Sequence, residues 1–426
     1  MNQIKPMLLT TLKSYDRSQF VKDVTAGIIV AIIALPLSIA LALASGVGPQ
    51  AGIFTAIVAG FVISAFGGSS VQIAGPTAAF ATIVAGIVAK DGLDGLVIST
   101  ILAGIFLILM GLCHFGSLIK FIPYTITTGF TSGIAVTIVI GQLKDFFGVT
   151  YPNGLKPIET MEKLKAFALG FSSFHVDALI VGGVSLAILI ISPYIFKRIP
   201  GSLIAVIIGI LMVKFLPLHV STIGNLYTIT NDLPSFHIPT VKFSIVKSAI
   251  PNAFTIAVLA AIESLLSCVV ADGMINGKHR SDTELVAQGL GNIASALFGG
   301  IPATGAIART AANIKNGGRT PVAGMVHSIT LVIVLVVLMP FAGMIPMPTI
   351  AAILFIVAYN MCQWRTFVHM LKTAPKSDII VLIVTFILTV VFDLVVAIEI
   401  GMVIACLLFI KRMSEETHVD SWIYVD

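Results

Sequence analysis

Apolar runs of about 20 residues recur along almost the whole chain, separated by short stretches that hold most of the glycine, proline and charge. An α-helix needs a run of this length to cross the hydrocarbon core of a bilayer. A β-barrel would instead alternate apolar and polar residues over strands of about 10 residues, and a single membrane anchor would not repeat. The chain is therefore predicted to be an all-α membrane protein with many transmembrane helices.

The composition excludes the main classes of water-soluble protein. Of the 426 residues, 57% are apolar and 11% are charged, whereas soluble domains carry about 25% charged residues. A mean hydropathy of +1.04 agrees with lipid as the surrounding medium and with no nucleic-acid partner. The four cysteines show no metal-ligand spacing, so neither a metal nor any other cofactor is predicted.

Glycine, proline and charge divide the apolar runs into fourteen predicted transmembrane segments. If the amino terminus is cytoplasmic, this count places lysine and arginine about two to one on the cytoplasmic side, in agreement with the positive-inside rule. Residues 1-23 and 411-426 are then a cytoplasmic amino-terminal segment and a short cytoplasmic tail. The fourteen segments are 24-45, 49-67, 71-88, 94-114, 125-142, 176-195, 200-217, 248-271, 283-299, 301-314, 320-339, 341-361, 377-393 and 394-410.

Two halves of seven segments are predicted at 24-217 and 248-410, joined by a connecting loop at 218-247. An odd number of crossings inverts the second half in the membrane. The third segment opens after Phe66-Gly67-Gly68 and the tenth after Phe298-Gly299-Gly300, and proline and glycine then interrupt both. Interrupted segments at matching places in two inverted halves point to a transporter binding site.

The third and tenth segments are predicted to be broken half-helices whose amino-terminal ends meet near the middle of the membrane. Residues 71-75 are predicted to be extended, with Pro76 in the first helical turn. Helix amino-terminal ends carry unpaired N–H groups and partial positive charge, which favour anions. Arg309 would add positive charge, and the hydroxyls of Thr77 and Thr310 would add hydrogen bonds. Small residues that would let an anion reach the backbone are Gly75, Ala78, Gly305, Ala306 and Ala308. The alternative is that these small residues only allow close helix packing.

Glu263 lies deep in the eighth segment, where a carboxylate is expensive and a functional role is the default interpretation. Ser267 follows one helical turn later on the same face. We predict that Glu263, with Ser267 beside it, is the ion-coupling site and takes up a proton. The alternative is a structural ion pair between Glu263 and Arg309. His327, alone on an apolar segment, is interpreted as a hydrogen-bonded core residue.

Several strings together resemble the sulfate permease family of anion transporters. They are residues 23-27 (DVTAG), 68-77 (GSSVQIAGPT), 261-266 (AIESLL) and 299-310 (GGIPATGAIART), and the resemblance extends from about residue 20 to 412. It implies a fourteen-segment inverted repeat, in which a core domain holds the anion and moves against a gate domain. By position, the anion-binding residues would be Leu37, Leu41, Thr77, Ile307, Ala308 and Arg309.

The chain departs from the resembled family in three places. Ala308 stands where many animal members have serine, and Leu37 stands where some have glutamine. Backbone N–H groups are therefore expected to carry more of the binding here. Few residues follow Arg412, so the cytoplasmic STAS domain that members commonly have is expected to be absent, either naturally or by truncation.

The leading functional prediction is secondary active uptake of a small anion in a bacterial inner membrane, by a homodimer and through an elevator-like movement. Sulfate, bicarbonate and C4-dicarboxylates such as fumarate are open as substrates, with proton coupling through Glu263. Sodium-coupled bicarbonate uptake is one alternative, because related bicarbonate members carry aspartate at this position. A passive anion channel is another. An enzyme is not predicted, because no His/Asp/Ser constellation is evident in the sequence.

Overall fold

The computed structural model describes residues 4–117, 124–152, 155, 157–196, 199–239, 243–391, 400 and 403–404. These residues form a mostly helical protein with two very short strands. Short 3-10 turns lie at Leu12–Ser14 and Phe171–Ser173. The helices are α1 (Leu8–Thr11), α2 (Arg17–Ala44), α3 (Pro49–Phe66), α4 (Ala78–Leu112), α5 (Tyr124–Phe147), α6 (Thr160–Gly170), α7 (Val176–Ile195), α8 (Gly201–Phe215), α9 (Ile223–Leu226), α10 (Phe243–Ile275), α11 (Ser281–Leu297), α12 (Ile307–Lys315), α13 (Val322–Ala342), α14 (Met347–Cys362), α15 (Trp364–Thr373) and α16 (Lys376–Val391), and the strands are β1 (Ala74–Gly75) and β2 (Thr304–Gly305).

Within the described residues, eight helical stretches are long and apolar enough to cross a membrane. Shorter apolar helices at Gly201–Phe215 and Asp378–Val391 add to them. The predicted segment 394-410 and the tail 411-426 lie outside the described residues, apart from residues 400, 403 and 404. The protein is thus an all-α membrane protein, and the count of fourteen spans stays a prediction. The eight stretches are Arg17–Ala44, Pro49–Phe66, Ala78–Leu112, Tyr124–Phe147, Val176–Ile195, Ile245–Ile275, Val322–Ala342 and Met347–Thr373.

The helices pack as two groups. In the first group, α4 packs against α10 and α11, while α2 and α3 pack against α13. In the second group, α5 packs against α14 and α16, and α7 packs against α8 and α14. One continuous apolar core joins the groups, and small residues such as Ala31, Ala40 and Ala42 of α2 are fully buried in it. Small side chains let membrane helices approach closely, which explains this packing.

The first helix group contains both broken segments. Strand β1 pairs with β2 in antiparallel register, Ala74 opposite Gly305 and Gly75 opposite Thr304. Helix α4 follows β1 after two intervening residues, and α12 follows β2 after a single intervening residue, Ala306, so the extended stretch and the helix predicted for each segment are present. Helix α4 then continues through Gly92, whose φ of 72° marks a kink where two separate segments were expected.

The position of Pro76 differs from the prediction. It lies outside the first helical turn, because Thr77 is the residue that precedes α4 and has an extended backbone. The carbonyl of Pro76 accepts a hydrogen bond from Arg309, which holds the chain in its extended form for two further residues.

Candidate functional site

A cavity of about 360 Å³ lies where the amino-terminal ends of α4 and α12 meet the second helix group. The eleven residues predicted from the sequence to bind substrate are Leu37, Leu41, residues 75–78 and residues 305–309. Ten of the eleven line the cavity, and so does Glu263. Gly75 and Ser267 do not line it. The ten are Leu37, Leu41, Pro76, Thr77, Ala78, Gly305, Ala306, Ile307, Ala308 and Arg309.

Neither half-helix has a side-chain cap at its amino-terminal end. Thr77 and Ala306, the residues that precede α4 and α12, are both extended, and neither side chain bonds to its helix. The first N–H groups of a helix lack partners inside the helix, so these groups remain available at the cavity. Two helix ends that carry partial positive charge therefore face the same space.

Arg309 is buried, with its guanidinium beside β1. It is 1% exposed, and its Nη2 atom donates to the Ser38 hydroxyl at 3.3 Å and to the Pro76 carbonyl at 3.2 Å. Its Nε and Nη1 atoms have no hydrogen-bond partner among the described residues. The ion pair with Glu263 that we considered from the sequence is not among the ion pairs of the described residues. The guanidinium charge is thus buried next to the two helix ends without a carboxylate partner.

Glycine is required where the strands approach side chains most closely. A Cβ atom on Gly75 would collide with Nη1 of Arg309, and one on Gly305 would collide with the amide of Gln72. Any larger residue at either position would therefore displace a buried polar side chain. Gly75 does not line the cavity. Its contribution to the site is the space that it leaves for the guanidinium of Arg309.

Glu263 faces the cavity from α10. Its Oε2 atom accepts a hydrogen bond from the Thr77 hydroxyl at 3.0 Å. This bond brings an ionisable carboxyl group to the amino-terminal end of α4. A group that can gain or lose a proton therefore lies beside the groups that could hold an anion.

Ser267 is turned away from the cavity, although it lies one turn after Glu263. It is buried, and its hydroxyl donates to the Thr310 hydroxyl at 3.4 Å. Thr310 also accepts from the backbone N–H of Ile73 at 3.1 Å. Ser267 and Thr310 thus help to hold the extended chain before β1 against α10 and α12.

A polar stripe on α11, which the sequence interpretation missed, holds both extended segments. The buried Glu284 carboxylate accepts from the N–H groups of Gly68 and Ser69 at 2.8 and 3.1 Å. It also accepts from the Gln72 amide at 2.8 Å. Two turns later, Asn292 bonds to the N–H and the carbonyl of Ala303, just before β2. Glu284, Gln288 and Asn292 recur every four residues, and this spacing was the available sequence signal.

The second helix group contributes a polar wall that the sequence also did not reveal. Gln363 has a left-handed backbone, with φ at 43°, and its side-chain oxygen accepts from the Tyr124 hydroxyl at 3.0 Å. The polar side chains of this wall come from α5, α14, α16 and the residue between α14 and α15, which are distant from one another in sequence. The polar residues lining the cavity from this group are Tyr124, Thr127, Thr128, Thr131, Asn360, Gln363 and Thr385.

An Asp–His–Ser cluster that was not evident in the sequence lies where α10 meets α11. Asp272, near the end of α10, lies 2.7 Å from Nδ1 of His279, and the hydroxyl of Ser281, the first residue of α11, lies 3.0 Å from Nε2 of His279. These three residues are close in space because the short connection between α10 and α11 folds back on itself. They are not among the residues that line the cavity.

Comparison with known proteins identifies the family. The profile described as the sulfate permease family matches residues 20–385, most of the chain. The chain belongs to the sulfate permease family. A relative from Bacillus subtilis (strain 168), named "Putative sulfate transporter YvdB", is 42% identical over 96% of this chain and 77% of its own length. The bicarbonate transporter BicA of Picosynechococcus sp. is 34% identical, over 92% of this chain and 70% of its own length.

Solved structures of sulfate permease relatives share the fold. The transmembrane domain of a cyanobacterial BicA aligns with a TM-score of 0.80 at 29% identity, over 92% of this chain and 98% of that domain. Murine solute carrier 26 family member A9, an anion transporter solved in its inward-facing state, aligns with a TM-score of 0.85 at 20% identity, over 95% and 71% of the two chains. Like these members of the family, the protein is a membrane-embedded anion transporter and not an enzyme.

Proposed function

We propose that the protein is a secondary active transporter that binds a small anion at the paired ends of α4 and α12 and couples its movement to a proton on Glu263. The observation that carries the proposal is the buried Arg309, whose charge has no carboxylate partner among the described residues. The cavity next to it is lined by two uncapped helix ends.

Electrostatics supports an anion as the missing partner. A buried charge loses several kcal/mol of hydration, and this loss is offset only by a nearby opposite charge and hydrogen bonds. An anion in the cavity would receive hydrogen bonds from helix N–H groups and would compensate the charge of the nearby guanidinium. Ala78, Ala306 and Ala308 leave room for such an approach to the backbone.

Coupling to a proton follows from the placement of Glu263. Its carboxylate would share the positive end of α4 with the bound anion, and two negative charges at one helix end repel each other. Anion binding and protonation of Glu263 therefore favour each other, by a reciprocal coupling free energy. A neutral Glu263 would also let the loaded site move with less net charge exposed to hydrocarbon.

The packing in two groups supports alternating access by an elevator-like movement. The paired strands, α12 and the first part of α4 all lie in the first helix group, whereas the opposite cavity wall comes from the second group. A sliding movement between the groups would carry the site with the first group. The antiparallel pairing of β1 with β2 is what two inverted repeats would produce at their meeting point.

Basic residues on one face support an orientation with the amino terminus in the cytoplasm. Arg280, between α10 and α11, donates to the carbonyl of Lys5 and the hydroxyl of Thr10. Arg319, before α13, donates its N–H to Asp23. These contacts bring the amino-terminal segment, the α10–α11 connection and the residues before α13 to one face of the protein, and all three carry basic residues. The positive-inside rule favours the cytoplasm for such a face. The homodimer and the cytoplasmic carboxyl terminus stay predictions.

The substrate is proposed to be sulfate, bicarbonate or a C4-dicarboxylate, and relatives named as sulfate and bicarbonate transporters support the first two. Sodium coupling has less support in this chain, because the Ser267 hydroxyl bonds to Thr310 and does not line the cavity. A sodium ion at Glu263 would thus lack one of the oxygen ligands that the sequence suggested.

Transport by the purified protein in liposomes tests the proposal. Labelled sulfate, bicarbonate and fumarate are supplied outside, with the outside acidic or at the internal pH, in the presence and absence of sodium. We expect one of these anions to accumulate against its gradient only when the outside is acidic. Accumulation that requires sodium and ignores pH would establish the sodium-coupled alternative, and flux that never exceeds equilibration would establish a channel.

A further inference from the structure

His327 on α13 is a fully buried polar side chain that the proposed transport cycle does not use. It is 0% exposed, and neither of its ring nitrogens has a hydrogen-bond partner among the described residues. Its position in the core agrees with the interpretation from the sequence, whereas the described residues supply no hydrogen-bond partner for the ring. Buried polar groups in native proteins are nearly always satisfied, so an exception of this kind requires an explanation.

The position of His327 on α13 directs it between α2 and α3. Ala323 and Val326 of α13 contact Gly27 of α2. On the neighbouring side of α13, the Ser328 hydroxyl donates to the Ala56 carbonyl of α3. At 100° per residue, His327 projects between these two contact faces, into the space that α2 and α3 enclose.

Arg309 reaches the same space from α12. Its Nη2 atom bonds to Ser38 of α2, and its Nη1 atom lies against Gly75, beside Ala56 of α3. Both side chains are fully buried beside α2 and α3, and both have nitrogens without a hydrogen-bond partner among the described residues: Nε and Nη1 of Arg309, and both ring nitrogens of His327.

One ordered water can satisfy both groups. The guanidinium has only donors, whereas a neutral imidazole has one acceptor nitrogen. The imidazole stays neutral here, because a second positive charge beside Arg309 would be repelled and would also lack a carboxylate. A water that accepts from the guanidinium and donates to the ring nitrogen completes the contact, as buried waters commonly do between polar groups.

We propose that His327, through an ordered water, compensates the Arg309 charge while no anion is bound. His327 is then a positioning residue that stabilises the empty carrier relative to the loaded one. Loss of the acceptor would raise the free energy of the empty state more than that of the loaded state, in which the anion compensates the guanidinium. Anion binding would become tighter, and release would become slower. This consequence rests on the proposed function, whereas the contact between the two residues does not.

A double-mutant cycle without any anion tests the contact itself. Thermal unfolding is compared for the unaltered protein, His327→Leu, Arg309→Met and the double variant. We expect His327→Leu to lower the unfolding temperature when Arg309 is present. In the Arg309→Met background, where the neighbouring side chain is apolar, the same change should have little effect or the opposite effect. Additive changes in the cycle would overturn the proposal, whatever the protein transports.

Transport kinetics test the compensating role. We expect His327→Leu to lower KM and kcat together, KM by about tenfold, since a buried hydrogen bond to a charged group is worth about that factor. His327→Gln keeps an acceptor and should restore both constants toward those of the unaltered protein. A raised or unchanged KM in His327→Leu would overturn the role. If the unaltered protein carries none of the three anions, the proposed function fails, and the unfolding cycle still decides the contact.

Discussion

The Thr77 hydroxyl donates a hydrogen bond to the Glu263 carboxylate over 3.0 Å. Thr77 precedes α4, and Glu263 lies in the middle of α10, so the bond joins the broken third segment to the eighth. The same hydroxyl accepts no bond from the first N–H groups of α4, so the amino-terminal end of that helix has no side-chain cap. The proposed proton-binding group and the proposed anion-binding groups are therefore parts of one hydrogen-bonded unit.

Replacement of Glu263 by glutamine should separate binding from coupling. Glu263→Gln mimics the protonated carboxyl permanently and can still accept from Thr77. We expect the variant to exchange anions across liposomes but to fail to concentrate them on an imposed pH gradient. Glu162→Gln, on α6 and away from the cavity, is the matched control. Undiminished proton-driven accumulation by Glu263→Gln would eliminate Glu263 as the coupling group.

A bulky side chain at Ala308 should fill the site. Ala308 lies in the first turn of α12 and lines the cavity. We expect Ala308→Phe to abolish saturable anion binding while leaving the unfolding temperature nearly unchanged, because the new ring would occupy open space. Ile333→Phe, at a position of α13 that is 60% exposed, controls for added bulk. Normal anion affinity in Ala308→Phe would place the binding site elsewhere.

Replacement of Arg309 by lysine should weaken anion binding less than replacement by alanine. Lysine keeps the positive charge but loses the planar fork that lets Nη2 reach both Ser38 and Pro76. We expect Arg309→Ala to weaken anion binding by about tenfold or more, on the order of a lost charge-assisted contact, and Arg309→Lys to weaken it less. Titration with labelled anion in detergent measures both. Equal losses would show that shape matters at this position and charge does not.

An alanine at Gly75 should disturb Arg309 without touching the anion directly. The added Cβ would collide with Nη1 of the guanidinium, and overpacking of this kind destabilises by about 1–3 kcal/mol. We expect Gly75→Ala to lower both the unfolding temperature and the anion affinity. Gly86→Ala on α4, where a Cβ meets nothing within 4 Å, should be neutral or slightly stabilising. Unchanged affinity in Gly75→Ala would contradict the role of the buried guanidinium.

Loss of Glu284 should loosen the extended chain before β1. Glu284→Ala would leave the N–H groups of Gly68 and Ser69 and the amide of Gln72 without their acceptor. Each unsatisfied buried donor costs about 1–3 kcal/mol, so we expect a large fall in unfolding temperature. Glu284→Gln keeps one acceptor oxygen, so its unfolding temperature should lie between those of the unaltered protein and Glu284→Ala. Unfolding at the original temperature in Glu284→Ala would show that these donors find other partners.

Much of the fold and site was predictable because it depends on local chemistry. Proline and glycine interrupt a helix wherever they occur, so the strings at Gly75-Pro76 and Pro302-Ala303 were enough to predict the half-helices, and ten of the eleven predicted binding residues line one cavity. The start of α4 was placed two residues early, because hydrogen bonds from distant residues keep Pro76 and Thr77 extended.

Apolar run length and glycine and proline placement are properties of neighbouring residues, and they alone specify a many-helix membrane protein with two broken segments. The partner of each buried polar group depends instead on which helices become neighbours after packing. Arg309 could have paired with Glu263, yet its Nη2 atom bonds to Ser38 and Pro76, while Glu263 bonds to Thr77. Glu284 contacts residues more than 200 positions away. Such pairings arise because desolvated polar groups must find partners in three dimensions, and only the assembled helices bring those partners together.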